Sequence, residues 1–150
     1  MSGMTRESLE DTSLVYWLKD LFKDYPDVTI TDAYPEMDLK LPTVAVENGD
    51  ITIFPYELGN RTGRMDRLWT IIVFANNKVQ RDDFASIIRK NLESGIPVYD
   101  YNQGFPPTNS PPQIDLLRPE SIIIRPIRIF PDLTEKLYWR ADISFLTKSI

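Results

Sequence analysis

Carboxylates are the side chains of this sequence whose types and spacing could support chemistry. Three of them cluster in the segment TDAYPEMD, as Asp32, Glu36 and Asp38, while Asp82 and Asp83 are adjacent. A hard cation such as Mg²⁺ binds oxygen ligands of this kind. Adjacent residues of a helix diverge by about 100°, however, so Asp82 and Asp83 would not easily share an ion. The first cluster lies in a turn-rich segment where acids commonly serve solubility, and we predict neither a metal site nor a cofactor.

The other common catalytic groups do not occur in the sequence. The chain has no cysteine and no histidine, which removes thiol chemistry, disulfides, the commonest general base and the commonest zinc ligand. Phosphate-binding patterns of the GxxxxGK[ST] and GxGxxG types are missing, as is the GxSxG pattern of serine hydrolases. We therefore predict a protein that is not an enzyme.

Charge is distributed unevenly along the chain. Residues 1–60 contain 4 Lys or Arg and 12 Asp or Glu, a net charge of −8, whereas residues 61–150 contain 13 and 10, a net charge of +3. The overall charge of −5 argues against a general nucleic-acid binder, which needs a basic surface. If the two halves occupy opposite sides of the fold, identical subunits could pack head to tail through unlike patches. The alternative is that the charges are scattered and solvated.

The length of 150 residues predicts a single domain, residues 1–150. No apolar run approaches the ~20 residues that span a bilayer, and the N-terminal MSGMTRESLEDTS lacks the apolar core of a signal peptide. We expect no membrane contact. We also expect the chain to stay where it is made, or to leave the cell only as part of a larger object.

Periodic apolar residues predict two helices. The first is capped by Ser8 or Thr12, is ended by Pro26, and has an apolar stripe at spacings of four, three and four: Leu14, Leu18, Leu21 and Tyr25. The second begins at Asn77 in a capping-box pattern and ends at Gly95.

Alternating residues predict the strands of a mainly antiparallel sheet. Residues 27–31 form a short strand, and residues 41–56 form a hairpin that turns at Asn48-Gly49. The strand 68–75 is apolar on both faces, so we expect it at the centre of the sheet with both faces covered. SIIIRPIRIF contains Pro126 and is predicted as an edge or bulged strand. LYWRADISF alternates cleanly, with these residues facing inward: Leu137, Trp139, Ala141, Ile143 and Phe145. The order of elements predicts an α+β fold in which this sheet packs with two α-helices.

Two segments are candidate interaction sites. Residues 97–119 contain six of the twelve prolines, so we expect a long proline-rich loop rather than a regular element. Its aromatic residues favour docking over full disorder: Tyr99, Tyr101 and Phe105. Arg61, Arg64 and Arg67 lie in or beside the loop before the central strand. That loop is either solvated or an electrostatic contact to the acidic surface of a partner.

Several pieces of the chain occur in the order found in a known family. After the first helix the sequence reads LPTVAVEN, then FPYELGNRTGRMDRLWTIIVFANN, then the helix RDDFASIIRKNLESGIPVYDYN, and finally WRADISFLT. This succession resembles the tail-terminator, or tail-completion, and neck proteins of tailed bacteriophages. The similar details are the proline before the first hairpin strand, the ELG after its return strand, the end of the central strand, the Asp-x-Ala helix and the YD that follows it. The resemblance spans most of residues 41–102, with further similarity at 136–146, and does not require the insert 103–119.

The resemblance implies a non-enzymatic protein of the virion tail or neck, assembled in the host cytoplasm. Such subunits form a ring, typically a hexamer, which sits on the last ring of tail-tube subunits, stops tube growth and offers a docking face to the head connector or adaptor protein. The implied partners are other copies of the chain, the tail-tube protein, the head connector and, in a contractile tail, the sheath. No membrane and no sequence-specific nucleic acid are implied. In this interpretation the loop with Arg61, Arg64 and Arg67 reaches a neighbouring subunit, the tube or the lumen.

Three other interpretations stay open at the level of the sequence. The chain could be another virion part, such as a baseplate or head-completion subunit. It could be a monomeric adaptor that binds a protein through the 97–119 loop. It could also be an enzyme that uses carboxylates and a metal ion.

Overall fold

The computed structural model describes residues 3–32, 41–54, 64–106, 108, 110–128 and 139–149. Within these ranges the chain forms two α-helices, one short 3₁₀ helix and seven strands. Their order is α1 (Arg6–Leu21), β1 (Thr29–Thr31), β2 (Thr43–Phe54), β3 (Arg64–Ala75), α2 (Lys78–Leu92), β4 (Ile96–Tyr99), a 3₁₀ helix (Tyr101–Gln103), β5 (Gln113–Leu117), β6 (Pro119–Arg128) and β7 (Trp139–Ser149).

Five of the strands form one sheet in the order β1-β2-β3-β7-β6. β1 runs parallel to β2, and the other neighbouring strands are antiparallel. β4 and β5 form a separate antiparallel pair. The predicted α+β fold, a mainly antiparallel sheet packed with two helices, is confirmed. So is the central position of the strand 68–75, which belongs to β3.

Both helices pack against the same face of the sheet. Alternate residues of a strand point to opposite faces, and Trp69, Ile71 and Val73 of β3 point to the helical side, where they are fully buried. One cluster joins them to apolar side chains of the two helices: Leu9, Leu14, Leu18, Phe84, Ala85, Ile88 and Leu92. The centre of the predicted α1 stripe is therefore in the core, whereas Tyr25 beyond the helix is 43% exposed.

The helix ends follow local capping chemistry, and one of the two predictions needs correction. The N-cap of α1 is Thr5, one turn before the predicted Ser8. The side-chain oxygen of Thr5 accepts a hydrogen bond from the backbone N–H of Ser8. α1 ends at Leu21, before Pro26 could interrupt it. α2 begins as predicted, with Asn77 as its N-cap.

The predicted hairpin within residues 41–56 is wrong, because β2 continues straight through Asn48-Gly49. The pairing with β3 shifts between Asn48 and Ile51, where β2 carries one extra residue. An added Cβ on Gly49 would lie 3.0 Å from the carbonyl oxygen of Leu68, so glycine permits the close approach of the two strands. The Asn-Gly pair is therefore used for a β-bulge, and the antiparallel partner of β2 is β3. Residues 55 and 56 lie outside the described residues.

The face of β3 away from the helices is covered only in part. Ile72 and Phe74 are buried together with Ala45 of β2, but Leu68 is 41% exposed. Thr70 is half-buried, with its hydroxyl 3.2 Å from that of Ser144 on β7. The prediction that both faces are covered is thus wrong at the start of the strand.

The prediction of one long loop at 97–119 is also wrong. The 3₁₀ helix, β5 and all of β4 except Ile96 fall within it, and Pro97, Val98 and Tyr99 pair with β5. Prolines are tolerated here because β4 and β5 pair only with each other. One side of each strand therefore has no strand neighbour, and a missing backbone N–H on that side breaks no hydrogen bond of the pair. Among the described residues between the 3₁₀ helix and Gln113, the irregular ones are 104–106, 108 and 110–112.

The C-terminal strands agree with their predicted roles. β6 lies at the edge of the sheet, and its register shifts between Glu120 and Ile123, as expected for a proline-containing strand. In β7, Ala141, Ile143 and Phe145 are buried on the helical side. Leu137 lies outside the described residues.

Candidate functional site

Arg67, predicted in or beside an exposed loop, is a buried residue of β3. Its side chain is only 3% exposed. Its guanidinium lies over the ring of Trp69, 3.9 Å from the centroid. Nη1 donates to Glu10 Oε1 at 2.9 Å, and Nη2 donates to Asp11 Oδ1 at 2.8 Å. Arg67 is therefore withdrawn as an interface candidate, because the acids of α1 hold its charge inside the domain.

Of the other two arginines of the predicted loop, the structure describes only the backbone of Arg64. Arg64 is the first residue of β3, paired in register with Phe54 of β2. Arg61 lies outside the described residues. With Arg67 buried, the candidate electrostatic contact rests on Arg61 and Arg64.

The Arg67 pairs extend into a chain of ion pairs that ties three elements together. Arg6 Nε donates to Glu10 Oε2 at 3.0 Å, and Arg6 Nη2 donates to Asp115 of β5. Burial lowers the pKa of Arg6, but its hydrogen bonds to Glu10 and Asp115 outweigh this effect, and the pKa lies above its ordinary value. Burial likewise raises the pKa of Asp115, but the N–H of Leu116 and the Arg6 guanidinium outweigh it and keep the pKa below its ordinary value.

Sequence reasoning missed the acidic side of this network, although a signal was present. Glu10 lies four residues before Leu14, on the same buried stripe of α1, and it is fully buried. A buried carboxylate requires a cation or several hydrogen bonds. Arg67 lies two residues before Trp69, on the same face of β3, which makes it the matching cation. The network positions α1 against β3 and β5.

The aromatic candidates Tyr99, Tyr101 and Phe105 come together in the structure. The ring of Tyr101 stacks 5.3 Å from that of Tyr16 on α1 and 5.3 Å from that of Phe105. Tyr99 meets Tyr101 edge-on at 6.3 Å. Tyr101 is buried, Tyr99 is half-buried and Phe105 is 46% exposed. Burial raises the pKa of the Tyr101 phenol, and a hydrogen bond with Ser13 offsets this only in part.

An open groove of about 690 Å³ runs between α1 and this aromatic stack. Aromatic and proline side chains dominate its walls: Tyr16, Trp17, Pro97, Tyr99, Tyr101, Pro106 and Pro111. Lys19, Asp20 and Lys23 of the α1 side add charge at its rim. Grooves lined by aromatic rings bind extended, proline-rich peptide segments. The arrangement can therefore bind an extended chain segment.

The carboxylate clusters do not come together into a site within the described ranges. Asp82 accepts a hydrogen bond from Arg81 Nε at 3.0 Å. Asp32 directly follows β1, whereas Glu36 and Asp38 lie outside the described residues. Across the part of the chain that the structure describes, no group of three or more potential ligands is placed to hold a metal ion.

Comparison of the sequence with family models and with characterised proteins yields no match. Neither α1 nor α2 is long and apolar enough to cross a membrane.

Proposed function

We propose that this protein is a virion structural subunit of a tailed bacteriophage. In this proposal it is a tail-terminator or neck protein whose copies form a ring, typically of six, on the end of the tail tube. The ring stops tube growth and docks the tail to the head connector. The proposal begins with the family resemblance of residues 41–102 and 136–146, and the fold lends it support.

The observation that carries the proposal is the shape of the sheet. Both helices cover one face, while β1 and β6 form the two edges of the sheet. A subunit of a closed ring needs two different lateral surfaces, since each copy contacts its neighbours head to tail. It also needs further surfaces for the tube below and the connector above. Here the outer sheet face around Leu68 and the groove beside Tyr101 are additional surfaces, separate from both edges.

Within this proposal, the partners are other copies of the chain, the tail-tube protein and the head connector, with the sheath added in a contractile tail. The localisation is the virion, after assembly in the host cytoplasm. The connection between β2 and β3, which includes Arg61, lies outside the described residues, and it is the segment we assign to the tube or to a neighbouring subunit.

The experiment that tests the proposal is a capping assay with the tail-tube protein encoded in the same genome. Tube subunits are polymerised with and without the purified protein, and tube lengths and ends are measured on negatively stained grids. We expect shorter tubes with a ring of density on one end. A variant with Arg61→Glu and Arg64→Glu should cap poorly while keeping its melting temperature. A matched variant with Lys78→Glu and Lys90→Glu, on the exposed surface of α2, should cap normally. Tubes of unchanged length with bare ends would refute the proposal.

A second candidate function is favoured by the groove beside Tyr101. Its aromatic and proline walls suit an adaptor that binds an extended peptide as a monomer. The Tyr16→Ala and Tyr99→Ala variants should then lose a partner captured by the wild-type protein, with no effect on self-association. Loss of tube capping in these variants would instead assign the groove to the tail.

A further inference from the structure

The strand order places the acidic and basic parts of the sequence at opposite edges of the sheet. β1 and β2 come from the acidic half of the chain, and β7 and β6 come from the basic half, with β3 between them. β1 and β6 are four strand spacings apart, about 19 Å at ~4.8 Å per spacing. This is about twice the Debye length of ~8–10 Å at physiological salt. The two edges therefore do not neutralise each other within one molecule.

The β1 edge carries exposed acids. Asp24, Asp27 and Asp32 flank β1 and are all exposed, and among the described residues no ion pair involves them. The only cation of residues 22–32 is Lys23, which lies 3.8 Å from Asp20 and is therefore already neutralised in part. This edge presents a net negative surface.

The β6 edge carries exposed arginines. Arg118 and Arg125 are exposed, and within the described ranges neither makes an ion pair. The acid of this edge, Glu120, is neutralised by Lys148 of β7 at 3.3 Å. Ile123, between the two arginines, is 49% exposed and supplies an apolar centre. This edge presents a net positive surface.

The β6 edge is also protected against indiscriminate strand pairing. Pro126 removes one backbone donor, and the register shift before Ile123 disturbs the edge. β1 has only three residues. A long backbone ladder is thus not available to either edge, and specificity has to come from side chains and charge.

We propose that the β6 edge of one copy docks against the β1 edge of a second copy of this chain. Arg118 and Arg125 face Asp27 and Asp32 across this contact, with Ile123 at its centre. The contact joins two different surfaces, so a pair of copies keeps one free edge of each kind, and its repetition by a rotation that closes gives a ring. The inference rests on the ring proposed above, for which it supplies the lateral interface.

Cross-linking through introduced thiols tests which edges meet. The chain has no cysteine, so only the introduced residues react with a short bismaleimide. A mixture of Thr29→Cys chains and Ser121→Cys chains, which keep the four charges of the contact and carry the thiols on the exposed residues of β1 and β6, should give covalent dimers that contain one chain of each kind. A chain with both substitutions should give a ladder of higher species. Each singly substituted chain alone should remain mostly uncross-linked. Equal cross-linking of the single variants, or none in the mixture at the highest attainable concentration, would overturn the inference.

Charge exchange tests whether the contact is electrostatic. The variants are Arg118→Asp with Arg125→Asp on one edge, and Asp27→Lys with Asp32→Lys on the other. Each should weaken self-association about tenfold or more in sedimentation velocity at low salt. The chain with all four substitutions should recover most of the wild-type association, because every interface is then complementary again. Lys78→Asp with Lys90→Asp is the matched control and should have little effect, and circular dichroism verifies that every variant is folded.

The outcomes separate this inference from the function on which it rests. If the fourfold variant associates as weakly as either double variant, or the control is equally weakened, the edge contact is wrong while tube capping can still be correct. If the edges respond as expected but tubes are not capped, the contact stands and the terminator function fails.

Discussion

Removing the buried charge of Arg67 should destabilise the domain far more than removing an exposed arginine. Arg67→Met leaves Glu10, which is fully buried, without its nearest cation. Breaking a buried ion pair by removing one partner costs about 3–5 kcal/mol. Domains of this kind have unfolding free energies of about 5–15 kcal/mol, so the loss is a large share of the total. For 150 residues it corresponds to a fall of roughly 6–20 °C in melting temperature.

Urea unfolding is the assay, followed by tryptophan fluorescence, to which the fully buried Trp69 contributes together with Trp17 and Trp139. The matched control is Arg89→Ala, because Arg89 pairs with Glu93 at 3.4 Å on the exposed surface of α2. That change should cost less than about 1 kcal/mol. Combining Arg67→Met with Glu10→Leu removes both buried charges and should recover at least half of the lost stability. If Arg67→Met costs no more than Arg89→Ala, or if the double variant is less stable than Arg67→Met alone, the account of this network is refuted.

Three further outcomes are expected. Asn77→Ala removes the N-cap of α2 and should lower the unfolding free energy by about 1 kcal/mol in urea titration, whereas Asn76→Ala next to it should change the stability little. Gly95→Ala should cost about 1–3 kcal/mol, because Gly95 has φ of +85° and an added Cβ would lie 2.9 Å from the Leu117 carbonyl oxygen; thermal unfolding beside Ser94→Ala, a change at the exposed neighbouring residue, measures the difference, and equal losses would contradict it. Because the folded-state pKa of Asp115 lies below its ordinary value, its stabilising contribution is present above the unfolded-state pKa of ~3.9 and is lost as the pH falls through the folded-state value. The stability difference between the wild type and Asp115→Asn should therefore be present at pH 6, at no more than about 1 kcal/mol because the pair is exposed, and should vanish in urea titrations at the most acid pH at which the protein folds.

Local sequence signals predicted those helices and strands whose residue pattern is typical of one structure only. β3 could be placed at the centre because its buried residues occupy both faces over much of its length, and α2 could be bounded because Asn77 and Gly95 carry capping chemistry. Pro126 indicated that β6 is an edge strand, because a proline lacks the backbone N–H that a strand paired on both sides needs.

The errors arose where one local pattern serves two structures. An Asn-Gly pair suits a tight turn, yet the same glycine allows a bulge where β2 passes close to Leu68. Arginine near a loop is usually solvated, and only the tertiary pairing of α1 with β3 brings Glu10 and Arg67 together. Likewise, the pairing of β4 with β5 joins residues 14 to 21 positions apart, and the local pattern of a proline-rich segment contains no signal for it. The candidate aromatic residues were identified from the sequence, but their stacking on Tyr16 was not.

The most direct test of the central claim is the mass of the purified protein across concentration and salt, measured by light scattering, with negative-stain images of the same samples. The proposed account predicts closed rings of about six 17.4 kDa chains, which dissociate as salt screens the contact between the β1 and β6 edges. A protein that stays monomeric at every concentration, both alone and with tail tubes, would contradict it, and so would a ring whose mass does not respond to salt.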